Sequence, residues 1–239
     1  IYLIRGDQAS CRQLEKSLAL LQRNFLPWNQ ADVIVFHEAN LNPQRLEGRT
    51  SGIPVRFALV DFTSVPEELA DVEPKKRGYR HMCHFYSNDV FFRKELDEYE
   101  FYMRMDDDSF ILSPIGFDVF ERMRERRSHY AYRVILKDKP FVCEGLGDVV
   151  NAFIRENPDI AHGPGWRKAY WCYYTNFEIC DIAWFRGEAY QRYFRAVDAA
   201  GGIWRKRWGD APIRYFGLNA LVPQDRILCL KELHYFHQS

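Results

Sequence analysis

The 239-residue chain has no excess of either charge, with 33 Lys and Arg against 33 Asp and Glu. That balance excludes a protein held to nucleic acid or anionic lipid by bulk positive charge, although not a local patch. No run of about 18 apolar residues is present, so nothing in the sequence reads as a membrane-spanning helix. The six cysteines (Cys11, Cys83, Cys143, Cys172, Cys180 and Cys229) include no C-x-x-C pair, which removes the usual zinc-site and thioredoxin readings. Their even number suits disulfides in a secretory compartment and suits buried thiols equally well. Glycine is sparse, at 14 residues, and forms neither common type of phosphate-binding loop. No repeat, low-complexity tract or linker appears, so one domain spanning 1–239 is expected. There is also no initiator Met and no signal-peptide layout. Ile1 to Arg5 reads as a strand already in progress, and an anchor or stem is expected to lie outside this sequence.

What is present is an ordinary globular composition, 47% hydrophobic and 28% charged, with an unusual 16% of aromatic residues. Such an aromatic content suggests a ring-rich core and stacking surfaces for flat ligands or sugars. Ser10 to Gln13 fits a capping box, and Leu14, Leu18, Leu21 and Phe25 follow at helical spacing. Ala31–Glu38 and Val55–Phe62 read as strands buried on both faces. Tyr79–Phe92 reads as a helix, and Tyr99–Met105 as a strand running straight into Asp106-Asp107-Asp108. This alternation predicts an α/β layered fold with a mainly parallel sheet, whose ligands bind beyond the carboxyl ends of its strands. The second half is less regular. His129–Leu136 is expected to be a strand, Leu146–Ile154 a helix ending before Asn157-Pro158, and Glu188–Ala200 a helix stopped by Gly201-Gly202. Arg226–Leu230 is expected to be a final strand.

Asp106-Asp107-Asp108 is the strongest local signal for chemistry. Consecutive carboxylates repel unless a cation or several donors neutralise them, and in an extended segment residues 106 and 108 share a side. Oxygen ligands suit Mg²⁺, Mn²⁺ or Ca²⁺, but the EF-hand reading fails because Ile111 and Phe117 occupy its glycine and glutamate positions. A solvated acidic turn is the competing reading. His237 is a nitrogen donor that would favour Mn²⁺ over Mg²⁺ if it reached the same ion, and it is otherwise a histidine of no special role. Glu178 stands in an aromatic stretch. It is either a catalytic carboxylate prepared by desolvation or a Glu paired with an arginine. Asp210, in Trp208-Gly209-Asp210-Ala211-Pro212, fits a helix N-cap. Arg77, Arg80 and Arg93 could meet a diphosphate or form a solvated face.

Taken together these segments resemble the fungal α-1,2-mannosyltransferases of glycosyltransferase family 15. The matching pieces run in the family's order: Gly78 to Ser87, Tyr102 to Asp108, Asn176 to Ile179, Phe185 to Tyr190, Arg207 to Pro212, and Tyr235-Phe236-His237. The resemblance implies a single GT-A-type domain: a mainly parallel central sheet flanked by helices, with a smaller antiparallel portion. It implies transfer of mannose from GDP-mannose with retention, a divalent cation (usually Mn²⁺), a mannose-containing glycan or glycoprotein acceptor, and a Golgi-lumen enzyme. No contact with nucleic acid or membrane is implied for this stretch. Position by position, Asp106 takes the place of the metal-binding carboxylate, with Asp108 beside it and His237 as the histidine that joins it. Glu178 matches the carboxylate proposed as nucleophile or stabiliser of the sugar cation, and Asp210 is grouped with it as catalytic. Tyr79, Arg80 and Arg5 match positions near the nucleotide and diphosphate. The family usually has Glu-Pro-Asp where this chain has Asp106-Asp107-Asp108. A different nucleotide-sugar donor on the same fold, or a non-catalytic binding module, are the alternative readings.

Overall fold

The computed structural model describes residues 1–46, 48–64, 66–67, 71–165 and 170–237. Its first half builds a parallel layer from β1 (Tyr2–Ile4), β2 (Val33–His37) and β3 (Val55–Leu59), in the order β1-β2-β3. Between them runs α1 (Gln8–Asn24), whose Leu14, Leu18 and Leu21 face the sheet as the spacing predicts. Its cap differs from the expectation. Asp7, not Ser10, is the N-cap, and its carboxylate accepts the Ser10 amide at 2.9 Å. Only Arg5 and Gly6 separate Asp7 from the end of β1, so the helix begins directly after a short turn. β3 also departs from the prediction of a strand buried on both faces. It is the outer strand, and Arg56 and Leu59 are exposed.

The second layer of strands comprises β4 (Phe101–Met105), β6 (Tyr130–Tyr132), β9 (Phe177–Asp181) and β10 (Ile227–Cys229), ordered β10-β6-β9-β4. Ile1 N–H donates to Met103 O at 2.5 Å and Met105 N–H donates to Ile1 O at 3.0 Å. These bonds join β1 to β4 in parallel and make one seven-stranded sheet in which β9 alone runs antiparallel to its neighbours. β2 and β3 lie to one side of β1 and β4 to the other, so strand order reverses between β1 and β4. Open α/β sheets bind their ligands in the crevice at such a reversal.

The strand expected over His129–Leu136 is split into β6 and β7 (Ile135–Lys137). The latter leaves the main sheet to pair with β8 (Trp171–Tyr173), while β5 (Ser109–Ile111) pairs with β11 (Tyr235–His237). One face of the sheet packs on α1 and α3 (Val119–Glu125). The other packs on α2 (Arg77–Ser87), α4 (Leu146–Glu156), α5 (Ile182–Arg186), α6 (Glu188–Ala199), α7 (Gly202–Lys206) and α8 (Asp210–Leu221). Gly201 follows α6 with φ +64°, the left-handed conformation that ends helices and that glycine adopts without steric cost. α8 is buried at every position but Ala211, and at Gly217 a Cβ would meet the Tyr193 ring at 2.4 Å. That close approach of α6 and α8 seats α8 deep enough for its polar residues to reach the sheet. All six cysteines are free thiols.

Candidate functional site

The site grows out of the alternation along β4. Met103 and Met105 enter the core against α1, so Tyr102 and Arg104 face the opposite layer. Glu178 lies directly across from Arg104 on β9, and Tyr132 lies across from Glu178 on β6. The sheet therefore carries a buried arginine and a buried glutamate side by side, each needing a partner.

Arg104 finds its partners at the carboxyl end of β4. Nε and Nη2 each lie 3.0 Å from Asp106 Oδ1, and Nη1 lies 2.6 Å from Asp210 Oδ2. Its guanidinium stacks on the Tyr86 ring at 3.5 Å. Asp210 also accepts the Thr175 hydroxyl at 2.7 Å, with the Cys83 thiol at 3.6 Å. Burial works against the Asp210 charge, but Arg104 and Thr175 outweigh it and hold the group below the usual carboxylate range. Asp106 is shifted the other way. Burial and the neighbouring Asp210 charge raise it, against the pull of Arg104. The N-cap expected at Asp210 belongs instead to Gly209, so this carboxylate serves Arg104 rather than the helix amides.

Outward from Asp106 the segment is not extended as expected: Ser109 N–H donates to Asp106 O at 3.0 Å and closes a turn, and Asp106 and Asp108 both face His237 from that turn. His237 Nε2 lies 3.0 Å from Asp108 Oδ1 and 3.9 Å from Asp106 Oδ2. Its other nitrogen, Nδ1, is 2.9 Å from the Tyr174 hydroxyl, which fixes the ring. The pairing of β11 with β5 carries His237 opposite Ser109 and so beside the aspartates. Asp107 turns away, raised to about 6 by burial and then by its two acidic neighbours, with Ser10 opposing. Among the described residues no group of three His, Cys, Asp or Glu side chains is arranged to hold a metal ion, and the His237 imidazole and Asp108 are in direct contact. Beside them Asn176 Nδ2 is a buried donor without a partner among the described residues.

Glu178 is sealed, with none of its surface exposed. Arg214 from α8 donates Nε to Oε2 at 3.1 Å and Nη2 to Oε1 at 3.4 Å, and the Tyr102 hydroxyl donates to Oε1 at 3.1 Å. Arg214 is itself held by Tyr190 Oη and the Tyr86 carbonyl and lies against Phe185. The alternative of a Glu paired with an arginine is thus the observed state.

The structure gathers Asp106, Asp108, His237 and Asp210 at one end of the sheet and sets Glu178 beneath them. Tyr79 is partly exposed beside Gly209, with Arg207 over its ring at 4.0 Å. Arg80 is nine-tenths buried and spends Nε on Trp204 O and Nη1 on Lys76 O, clamping α2 to α7. Arg5 is open to solvent at the end of β1, 3.5 Å from Asp7. Sequence reasoning missed Arg104, Thr175, Tyr174 and Arg214. Arg104 stands two residues before Asp106 on the same strand face and could have been found from that spacing. A cavity of about 300 Å³ lined by Ile1, Val33, Phe101 and Phe120 opens at the amino ends of these strands, away from the aspartates.

The sheet, with its switch point beneath the paired carboxylates and the imidazole, has a GT-A-like fold, which solved structures share. Core-mannan synthase A of Aspergillus fumigatus, solved in its Mn/GDP form, superposes with a TM-score of 0.86 at 21% identity, covering 99% of this chain and 73% of that one. The mannosyltransferase Ktr4p of Saccharomyces cerevisiae, in complex with GDP, gives 0.89 at 21% identity over 99% and 71%. The sequence model for glycolipid 2-alpha-mannosyltransferases matches residues 63–239, and the chain belongs to that family. Glycolipid 2-alpha-mannosyltransferase 1 of Candida albicans is 32% identical over 171 residues, 67% of this chain and 39% of the relative. The Saccharomyces cerevisiae glycolipid 2-alpha-mannosyltransferase is 29% identical over 194 residues, 74% and 44% respectively. The chain thus spans less than half the length of either relative. No helix among the described residues is long and apolar enough to cross a membrane.

Proposed function

We propose that this chain transfers mannose from GDP-mannose to a hydroxyl of a mannose-containing glycan, forming an α-1,2 linkage with retention, in a reaction that needs a divalent cation. The observation that carries the reading is the convergence of Asp106, Asp108 and His237 at the carboxyl ends of the switch-point strands, within a chain of the mannosyltransferase family. Two carboxylates and one imidazole suit Mn²⁺ better than Mg²⁺ or Ca²⁺. The fit has further support in the ring of His237, oriented through Nδ1 by Tyr174 as second-shell partners orient metal-binding histidines. Asp106, Asp108 and His237 would hold the ion, which when bound supplies Lewis-acid stabilisation of the departing diphosphate.

The chain's own residues divide the remaining work. Arg104 pairs with both Asp106 and Asp210 and fixes the two carboxylates side by side at the mouth. The unpartnered Asn176 amide is available to a phosphate or sugar oxygen. Tyr79 offers a ring beside Asp210, and Arg5 an exposed cation at the end of β1. Glu178 and Asp210 supply the carboxylate charge that an oxocarbenium-like transition state requires. The enclosure of Glu178 by Arg214 and Tyr102 supports attack by the acceptor on the leaving-group side, with Glu178 as a fixed charge beneath the sugar rather than a covalent nucleophile. The family's setting also supports a Golgi-lumen location.

The test is release of GDP from GDP-mannose with methyl-α-mannoside as acceptor. Turnover that requires Mn²⁺ and stops with EDTA is expected. Release from a different nucleotide sugar, with GDP-mannose inert, would overturn the mannosyl assignment. Glu178→Gln should retain GDP binding and lose at least ~10²-fold in turnover, the scale of one positioned group.

A further inference from the structure

Beyond Tyr79 the site continues into a rigid aromatic ledge. Phe141 sits on the short turn Pro140–Val142, and the Arg207 guanidinium lies over both the Phe141 ring, at 5.3 Å, and the Tyr79 ring, at 4.0 Å. Two hydrogen bonds lock this turn to the segment leading into Asp210. Gly209 N–H donates to Val142 O at 3.0 Å, and Trp208 Nε1–H donates to Glu144 O at 2.7 Å. Arg207 adopts φ +64°, a left-handed conformation that non-glycine residues take at a cost and that concentrates at functional sites. Among the described residues it has neither a carboxylate nor a carbonyl partner, only the two rings. The fold nevertheless leaves Phe141 48% exposed, on a turn that is tied down rather than loose.

An exposed ring held rigid, beside a guanidinium with uncommitted N–H donors, matches what a sugar presents: an apolar C–H face for the ring and hydroxyls for the donors. The ledge adjoins Asp210 through Gly209, whose N–H holds the Phe141 turn. We propose that Phe141, with Arg207, forms the acceptor subsite, which binds one pyranose unit of the acceptor glycan. This inference rests on the transferase reading and adds to it the place where the acceptor lies. Nothing in the core depends on the Phe141 ring, so its removal should leave the fold intact.

The experiment compares wild type, Phe141→Ala and Phe141→Tyr in three readouts: acceptor KM in the GDP-mannose assay, GDP affinity with Mn²⁺, and broadening of α-1,2-mannobiose NMR signals on adding protein. Phe141→Ala should raise the acceptor KM about 5- to 20-fold, on the scale of losing one stacking contact, abolish the mannobiose broadening and leave GDP affinity within about twofold. Phe141→Tyr, which keeps the ring, should restore both acceptor readouts. Unchanged acceptor KM and mannobiose broadening in Phe141→Ala would overturn the subsite while leaving the transferase reading standing. Equal losses of acceptor and GDP affinity would overturn it too, since the residue would then serve the fold or the donor. A wild-type protein that never turns over GDP-mannose would overturn the transferase reading and the subsite with it.

Discussion

Two buried arginines, Arg104 on β4 and Arg214 on α8, stand on the same side of the sheet and do different work. Arg214 meets one carboxylate, Glu178, and the pair is closed off entirely by Tyr102, Tyr190 and Phe185. Arg104 meets two, Asp106 and Asp210, and the Asp106 side chain remains 30% exposed where Asp108 and His237 gather. Sealing an ion pair fixes geometry at the expense of contact with a ligand. Leaving one end open, with one more negative than positive charge, leaves charge for a ligand to neutralise. The closed pair thus holds β9 and α8 in register, and the open set faces the substrate.

The largest effect should come from breaking the closed pair. Arg214→Met strands a buried carboxylate and should cost about 3–5 kcal/mol in urea unfolding, with much of the loss recovered in the double variant Arg214→Met with Glu178→Gln. A loss below about 1 kcal/mol would erase the distinction between the two sets. Next, Asp106→Asn should lower turnover at least ~10²-fold while changing stability by no more than about 1 kcal/mol, because Arg104 keeps Asp210 and the site is open to water. Comparable losses in stability and activity would make the open set structural as well.

His84 lies between these extremes. Burial opposes its charge, but Asp198 and Asp89 raise it from 6.5 to about 9. Its imidazolium therefore contributes stability in full below about pH 6.5, and the contribution fades as pH rises through 9. Melting temperature should fall over that window by the equivalent of about 2 kcal/mol, and His84→Gln should remove most of the slope. A flat profile in wild type would show that the pair adds nothing to the fold. The smallest effect belongs to the surface. Glu100 pairs with Arg124 at 2.7 Å with both side chains about half exposed, and Glu100→Gln should change stability by less than about 1 kcal/mol.

Local patterns made the first half of the molecule legible. β-branched runs marked the strands and helical spacing marked α1, whereas Asp106 and Asp108 meet His237 through a turn and not through the extended alternation expected. Where local reasoning failed, a longer-range contact had decided the matter. Ser10 is the exception, a local contact: Asp7, three residues earlier, caps the helix by accepting the Ser10 amide. Asp210 fits a cap as well, but Arg104, 106 residues away in sequence, claims its carboxylate. β3 has a core strand's composition and lies at an edge because, among the described residues, only β2 pairs with it. Arg214 carried no signal, being an arginine inside an apolar helix, and its purpose becomes visible only once α8 lies over β9. His237 acquired meaning from family resemblance alone until the β5–β11 pairing placed it beside Asp108.

The most direct test of the open and closed assignment is GDP affinity titrated with and without Mn²⁺ in wild type, Asp106→Ala and Glu178→Gln. Mn²⁺ should tighten GDP binding at least tenfold, about 1.4 kcal/mol, in wild type and in Glu178→Gln, and should have no effect in Asp106→Ala. A full Mn²⁺ response in Asp106→Ala, or its loss in a folded Glu178→Gln, would contradict the account.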